Sequence, residues 1–232
     1  MVSINTVYQR VLALANKEQR GYITPQEFNL FANQAQMDIF EQYFYDINQF
    51  SRIPGNDTEY SDMLNYLEEK VSLFEDQKVV NKNATGTFYN ISANINDLYK
   101  IGSISYNGAI CEKVNANHID IVNNSPLLKP MSYHPVYALK DNKVYLYPIN
   151  LEDPIIVNYI RRPENVEWGY AVANGTAVWD NGANTTDFEL HNSEETELVI
   201  KILQLASVTL KDPSLYQIAG AEDNKNTQQE KQ

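Results

Sequence analysis

The stretch NKEQRGYITPQEF, residues 16–28, is where residue type and spacing come closest to a known chemistry. Counted from Asn16, Gly21 stands at position 6, Ile23 at 8, Thr24 at 9 and Glu27 at 12, the landmark positions of an EF-hand calcium loop. Such a loop takes calcium through oxygen ligands at positions 1, 3, 5 and 12, with glycine at 6 for the sharp turn. Here position 1 is Asn16, position 3 is Glu18 and position 5 is Arg20. A guanidinium in a ligand slot repels a divalent cation, and Asn16 removes the usual first carboxylate. The same residues describe two helix ends meeting. Gly21 suits a C-cap, Thr24 an N-cap and Pro25 the first helical position, while Glu27 at the third completes a capping box. Ile23 and Phe28 occupy the two positions of a hydrophobic staple. One carboxylate cannot easily serve both the box and a bidentate metal contact, and the chain holds no second loop of this kind. The expectation is a helix corner with no metal and no cofactor.

The remaining reactive residues assemble no site. His118, His134 and His191 are scattered and lack metal-ligand spacing. His118 alternates with Ile119 and Ile121 as a solvent-side strand residue would, and His134 precedes Pro135 in a loop. Cys111 is the only cysteine, so it forms no intrachain disulfide; it reads as a small packed hydrophobe. The run from Glu194 to Glu197 reads as the acidic start of a helix, charges near its positive end, and not as a catalytic carboxylate pair. No nucleophile elbow, phosphate loop or dinucleotide fingerprint occurs. With no nucleophile–base set, the expectation is a protein that is not an enzyme and has no catalytic residues.

Composition narrows the classes further. The chain has 232 residues, 43% of them hydrophobic, which is enough for a buried core. Its net charge is −12 and its pI near 4.7, unsuited to gripping phosphate; the only adjacent arginines are Arg161 and Arg162. No apolar run reaches membrane-spanning length, so no membrane association is expected, and no basic segment followed by an apolar run marks a signal peptide. Triplets such as Asn83-Ala84-Thr85 follow from the abundance of Asn, Ser and Thr.

The elements that would position these residues fall into three zones. Val7, Val11, Leu12, Leu14 and Ala15 give a helical stripe. A long helix from Pro25 to about Phe50 follows, apolar around much of its circumference, and so buried among several neighbours or packed on other subunits. A third helix spans about Thr58 to Phe74. From about Thr85 to Phe188 the period changes to two, in runs such as TFYNISA, GSISYN, HIDIVN, VYLYPI and IIVNYI. Asn107-Gly108, Asp141-Asn142, Asn174-Gly175 and Asn181-Gly182 supply turns. Helix returns after Ser193 through Leu198, Ile202, Leu205, Ala206 and Thr209. It stops at Asp212-Pro213, followed by a short helix with Leu215, Tyr216 and Ile218 and a polar tail. The expected class is α+β: a discontinuous helical bundle of residues 1–80 and 189–232, with an antiparallel β-rich insertion at 81–188. Sixteen tyrosines, eight phenylalanines and two tryptophans fit a Tyr-rich core and surface as well as an assembly surface, and the apolar girth of the second helix tips the reading towards assembly.

Three segments together carry a resemblance: NKEQRGYITPQEFNLFANQAQMDIFEQYF; VYLYPI with IIVNYIRRPENVEW; and FELHNSEETELVIKILQLASVTLKDPSLYQ with NTQQEKQ. In order and spacing they resemble virion structural proteins of tailed phages, in particular the head-to-tail connector ring proteins of crAss-like and related short-tailed phages. The resemblance implies a ring of twelve copies below the portal, located in the virion at the head–tail junction. Its partners would be the portal and other tail proteins, and DNA would pass through without specific binding. An acidic lumen repels phosphate, which suits the charge. The interface expected for such a ring uses Phe31, Phe40, Phe44, Leu198, Ile202, Leu205 and Tyr216. The alternative is a β-rich glycan- or receptor-binding tail module, in which Trp168, Tyr170 and Trp179 form a sugar-stacking platform.

Overall fold

The computed structural model describes residues 1–16, 23–50, 58–151, 153–173, 175–180, 184–209 and 221. The first helices are α1 (Ile4–Asn16), α2 (Pro25–Phe50) and α3 (Thr58–Ser72). Then come β1 (Glu75–Val80), β2 (Tyr89–Asn90), α4 (Ile91–Asn94), β3 (Leu98–Tyr106), β4 (Ala109–Ile110), β5 (Glu112–Lys113) and α5 (Ile119–Asn124). Strands β6 (Val136–Lys140), β7 (Lys143–Tyr147), β8 (Ile155–Arg161), β9 (Tyr170–Ala173) and β10 (Thr176–Trp179) precede a 3-10 turn at Asn192–Glu194 and α6 (Glu195–Thr209). The class is α+β. Contacts divide the chain into two compact units, residues 1–73 with 163–232, and residues 74–162.

The helical unit starts from local signals. The Thr24 Oγ1 accepts from the Glu27 N–H at 3.3 Å, and Glu27 Oε2 accepts from the Thr24 N–H at 3.0 Å, which is the reciprocal capping box. Ile23 and Phe28 are both buried beside it. The expected C-cap at Gly21 lies outside the described residues, as do the segment after Leu210 and the turn Asn181-Gly182. Val7, Val11 and Ala15 bury one stripe of α1, while Leu14 stays exposed. Along α2, Phe28, Ala32, Ala35, Ile39, Phe40 and Tyr43 are buried, and α6 contributes Leu198, Ile202 and Ala206. The neighbours that the apolar girth of α2 demanded include α3 and α6 of the same chain.

A polar seam on α2 explains where the units divide. Asn29, Asn33 and Gln36, spaced four and three residues apart, share a helix face. Asn33 Nδ2 donates to the Val166 carbonyl and Asn33 Oδ1 accepts from the Val166 N–H, each at 2.9 Å. Asn29 Oδ1 accepts from the Trp168 N–H at 2.9 Å, and Gln36 bonds the Glu164 carbonyl at 2.8 Å and the Glu189 N–H at 3.1 Å. These amides satisfy an extended segment as a neighbouring strand would. The segment after Arg162 therefore belongs with the helices, and the division falls at 162/163 and not at 188/189. At the other end, β1 pairs with β8 along its whole length, which moves that division from 80/81 to 73/74.

The second unit holds two four-stranded sheets, ordered β1-β8-β3-β4 and β2-β7-β6-β5. Pairing is antiparallel except between β5 and β6. Both sheets feed one core that includes Tyr89, Ile104, Tyr137, Val144, Ile155 and Val157. Asn107 and Gly108 (φ 45° and 80°) turn β3 into β4, and Asp141 and Asn142 (φ 54° and 53°) turn β6 into β7. Two expected strands differ. HIDIVN forms α5, because Ile119 is buried and Ile121 exposed, and the His118 carbonyl accepts from the Val122 N–H at 3.1 Å. So short a run fits either period. TFYNISA breaks at Asn90, whose side chain accepts from the Ala93 N–H at 3.3 Å and caps α4.

Candidate functional site

The calcium-like stretch contributes a cap: Glu27 Oε2 accepts from both the N–H and the hydroxyl of Thr24, at 3.0 and 2.8 Å. Those bonds hold the Glu27 carboxyl below its usual range. Among the described residues no three His, Cys, Asp or Glu side chains converge as a metal site requires. Cys111 is buried, and burial pushes its thiol up to about 11. His118 is exposed just ahead of α5, and His134 is exposed in the loop before β6.

The acidic run before α6 holds an unexpected feature. Glu194 is buried and accepts from Lys70 Nζ at 2.6 Å, with the two side chains 4% and 8% exposed. The ammonium sits 4.5 Å from the centre of the Tyr66 ring and 5.3 Å from that of Tyr43. Ser193 Oγ donates to Glu194 at 3.0 Å and accepts from the Tyr66 hydroxyl at 2.9 Å. Desolvation, helped by the Glu194 charge, raises the Tyr43 phenol far above its ordinary value. His191 lies 2.9 Å from Ser193 Oγ, but its Nδ1 accepts from the Ser193 N–H, so it caps the turn. The pair is a clamp between α3 and the start of α6, its charges neutralised by each other, with the Glu194 carboxylate also accepting from Ser193 and the Lys70 ammonium resting on two tyrosine rings.

The residues expected to face neighbours divide by burial. Phe40, Leu198 and Ile202 are buried in the helical unit's own core, which removes them from any partner-facing surface. Phe31, Phe44 and Leu205 are half-buried, with Phe44 edge-on to Phe40 at 5.0 Å. Tyr216 lies outside the described residues. Among the described residues, Leu30 and Tyr45 expose apolar surface on α2 itself, and two further exposed apolar patches lie elsewhere.

The first is a groove of about 530 Å³ in the unit of residues 74–162. Its walls include Ile110, Leu127, Leu128, Met131 and Tyr133, with Leu127 95% and Ile110 76% exposed. The loop is built to hold them there. Ser125, extended ahead of Pro126, stops α5, and its carbonyl accepts from the Lys129 N–H at 3.1 Å. Met131 and His134 close a tight turn by a pair of backbone bonds of 3.3 and 3.0 Å. Beyond it the Pro135 carbonyl accepts from the Glu112 N–H at 3.1 Å.

The second is the β9–β10 hairpin of the helical unit, where Val172 is 71% and Val178 50% exposed. Trp168 anchors its base: the indole lies 4.0 Å from Tyr8 and stacks on Tyr170 at 6.0 Å, donating to Asn5 Oδ1 at 3.2 Å. Trp168 is 2% exposed, so its ring is not available to a sugar. Of the three candidate platform residues, Tyr170 is half-buried and only Trp179 is exposed.

No model of a known protein family and no curated protein matches this chain.

A second depression, about 650 Å³, lies on the β1-β8-β3 sheet among Asp76, Gln77, Ser103 and Asn158. Its side chains bond one another: Gln77 to Asn158 and Asn158 to Ser103, both at 2.9 Å, and the Tyr159 hydroxyl to Asp76 at 3.0 Å. None of the described helices is long and apolar enough to cross a membrane.

Proposed function

We propose that this chain is a structural virion protein: a head-to-tail connector ring subunit of a short-tailed phage, twelve copies of which line the DNA conduit between portal and tail. The observation that carries the reading is the exposed apolar wall of Ile110, Leu127, Leu128, Met131 and Tyr133. An apolar surface held out by a braced loop marks a protein–protein contact. Its occupants on this reading are a neighbouring copy and the portal. The resemblance of the three segments supplies the phage context. A net charge of −12 per copy supports a conduit that repels DNA phosphate.

The second reading, a glycan-binding tail module, draws on the polar depression at Asp76, Gln77, Ser103 and Asn158. It is weaker, because those polar groups already satisfy one another and Tyr159, the aromatic ring there, is buried. Binding to a portal ring and to a glycan array separates the two. Portal capture without glycan binding supports the connector. Glycan binding without portal capture supports the module. A chain that stays monomeric both alone and with portal contradicts the connector.

A further inference from the structure

The β9–β10 hairpin and its turn read YAVANGTAVW from Tyr170 to Trp179, ten residues without a charge. Its register pairs Tyr170 with Trp179, Val172 with Ala177 and Ala173 with Thr176. One pair further, the Gly169 carbonyl accepts from the Asp180 N–H at 3.0 Å, which makes 169 and 180 a hydrogen-bonded pair. Antiparallel ladders alternate bonded and non-bonded pairs. The N–H and C=O groups of Tyr170 and Val172 on β9, and of Ala177 and Trp179 on β10, therefore point outward along the two edges. Among the described strands, β9 and β10 pair only with each other. A two-stranded sheet is marginal in water, and among the described residues no third strand pairs with either edge of this one.

Native sheet edges are usually guarded by charge. The edge strand β1 follows that rule with Glu75, Asp76 and Lys78. The hairpin does not; its nearest charges, Glu167 and Asp180, stand outside the paired span.

We propose that this hairpin joins copies of the chain by strand addition, the β10 edge of one copy pairing with the β9 edge of the next. The inference rests on the ring reading and names the element that closes the ring. Two arguments select a second copy as the occupant. Copies that each carry −12 repel one another except where they present uncharged surface, and residues 170–179 are such a surface. Rotational symmetry also points every hairpin the same way, which sets β10 of one copy antiparallel to β9 of the next. Each edge offers two outward residues at the same spacing, so the edges complement each other. Head-to-tail contact of two different edges is what a closed ring needs, and closure leaves no edge open.

Proline at an outward position removes an edge donor while sparing the bonds within the hairpin. Val172→Pro disables the β9 edge and Ala177→Pro the β10 edge. The test is native mass spectrometry of the full chain over a concentration series, with circular dichroism and melting curves as folding controls. The wild type is expected to form oligomers and each variant to remain monomeric. An equimolar mixture of the two variants is expected to give heterodimers and nothing larger, since each supplies one intact edge. Should a proline variant fail to fold, Val172→Lys keeps the backbone, adds an edge charge and carries the same expectation of lost assembly. Wild-type-sized oligomers from any folded variant overturn the hairpin inference and leave the ring reading standing. A wild type that stays monomeric throughout, both alone and with portal, overturns both.

Discussion

The two units bury different things. The buried polar and charged side chains of the described residues, Gln36, Asp46, Lys70, Glu194 and Ser207, all lie in the helical unit. The sheet unit is filled by aliphatic side chains, tyrosines and Cys111. The reason is where backbone groups find partners. A strand inside a sheet meets its neighbour's N–H and C=O groups without help. The extended segment at 164–168 has α2 as its neighbour, and a helix has spent its backbone bonds on itself. Side-chain amides from Asn29, Asn33 and Gln36 take that role. Polar burial is thus the consequence of laying irregular chain on a helix.

That contrast can be broken by substitution. The largest effect is expected at the buried pair. Glu194→Ala leaves the Lys70 ammonium buried and unpaired and should lower stability by about 3–5 kcal/mol in chemical denaturation. Replacing both partners with apolar residues, Lys70→Met with Glu194→Leu, should recover most of that loss. A single substitution costing under about 1 kcal/mol would mean that the pair is no clamp.

Next in size is Asn33→Ala, which leaves the Val166 N–H and C=O unpaired and should cost about 1–3 kcal/mol. Its counterpart in the sheet unit is Ile104→Val, a pure packing loss of about 0.5–1.5 kcal/mol. Equal costs with no change in exchange protection at Val166 would erase the distinction between the units.

How much of this was legible in the sequence depends on range. The corner from Ile23 to Phe28 was readable because a capping box is a contact within four residues, and all its members lie in one short phrase. The bounds of α2 and the turns at Asn107-Gly108 and Asp141-Asn142 were local in the same way. Asn29, Asn33 and Gln36 were not readable as a seam. On a helical wheel they resemble a solvated face, and their partners enter the chain more than a hundred positions later. Glu194 sat inside an acidic run that fits an ordinary helix start, and nothing near it announced Lys70. The apolar girth of α2 was visible, but its choice between neighbours of its own chain and other subunits was not; Phe40, Leu198 and Ile202 turned inward. Leu127 and Leu128 look like core by composition, and only their loop between Pro126 and Pro130 places them outside.

Smaller effects sharpen the comparison. Thr24→Ala removes the N-cap of α2 and should cost about 1 kcal/mol. The folded state holds the Glu27 carboxyl below its unfolded value, so its contribution is present above the unfolded pKa and lost as pH falls through the folded one. Glu27→Gln, which removes the carboxyl, should therefore show a shallower loss of stability on acidification than the wild type, with Thr24→Ala between the two because that change keeps the backbone N–H that Glu27 accepts from. Smallest of all, Leu127→Ser with Leu128→Ser should change stability by no more than about 0.5 kcal/mol, because both side chains already face water. On the connector reading the same pair of changes weakens association between chains, which a concentration-dependent sedimentation profile would register.

On the connector reading, the exposed apolar surfaces of this chain serve assembly into a ring. Electron microscopy of the purified wild-type protein tests it most directly. Annular particles with rotational symmetry and an open central channel are the expected result; a field of single-copy particles at every concentration, with or without portal, would rule the ring out.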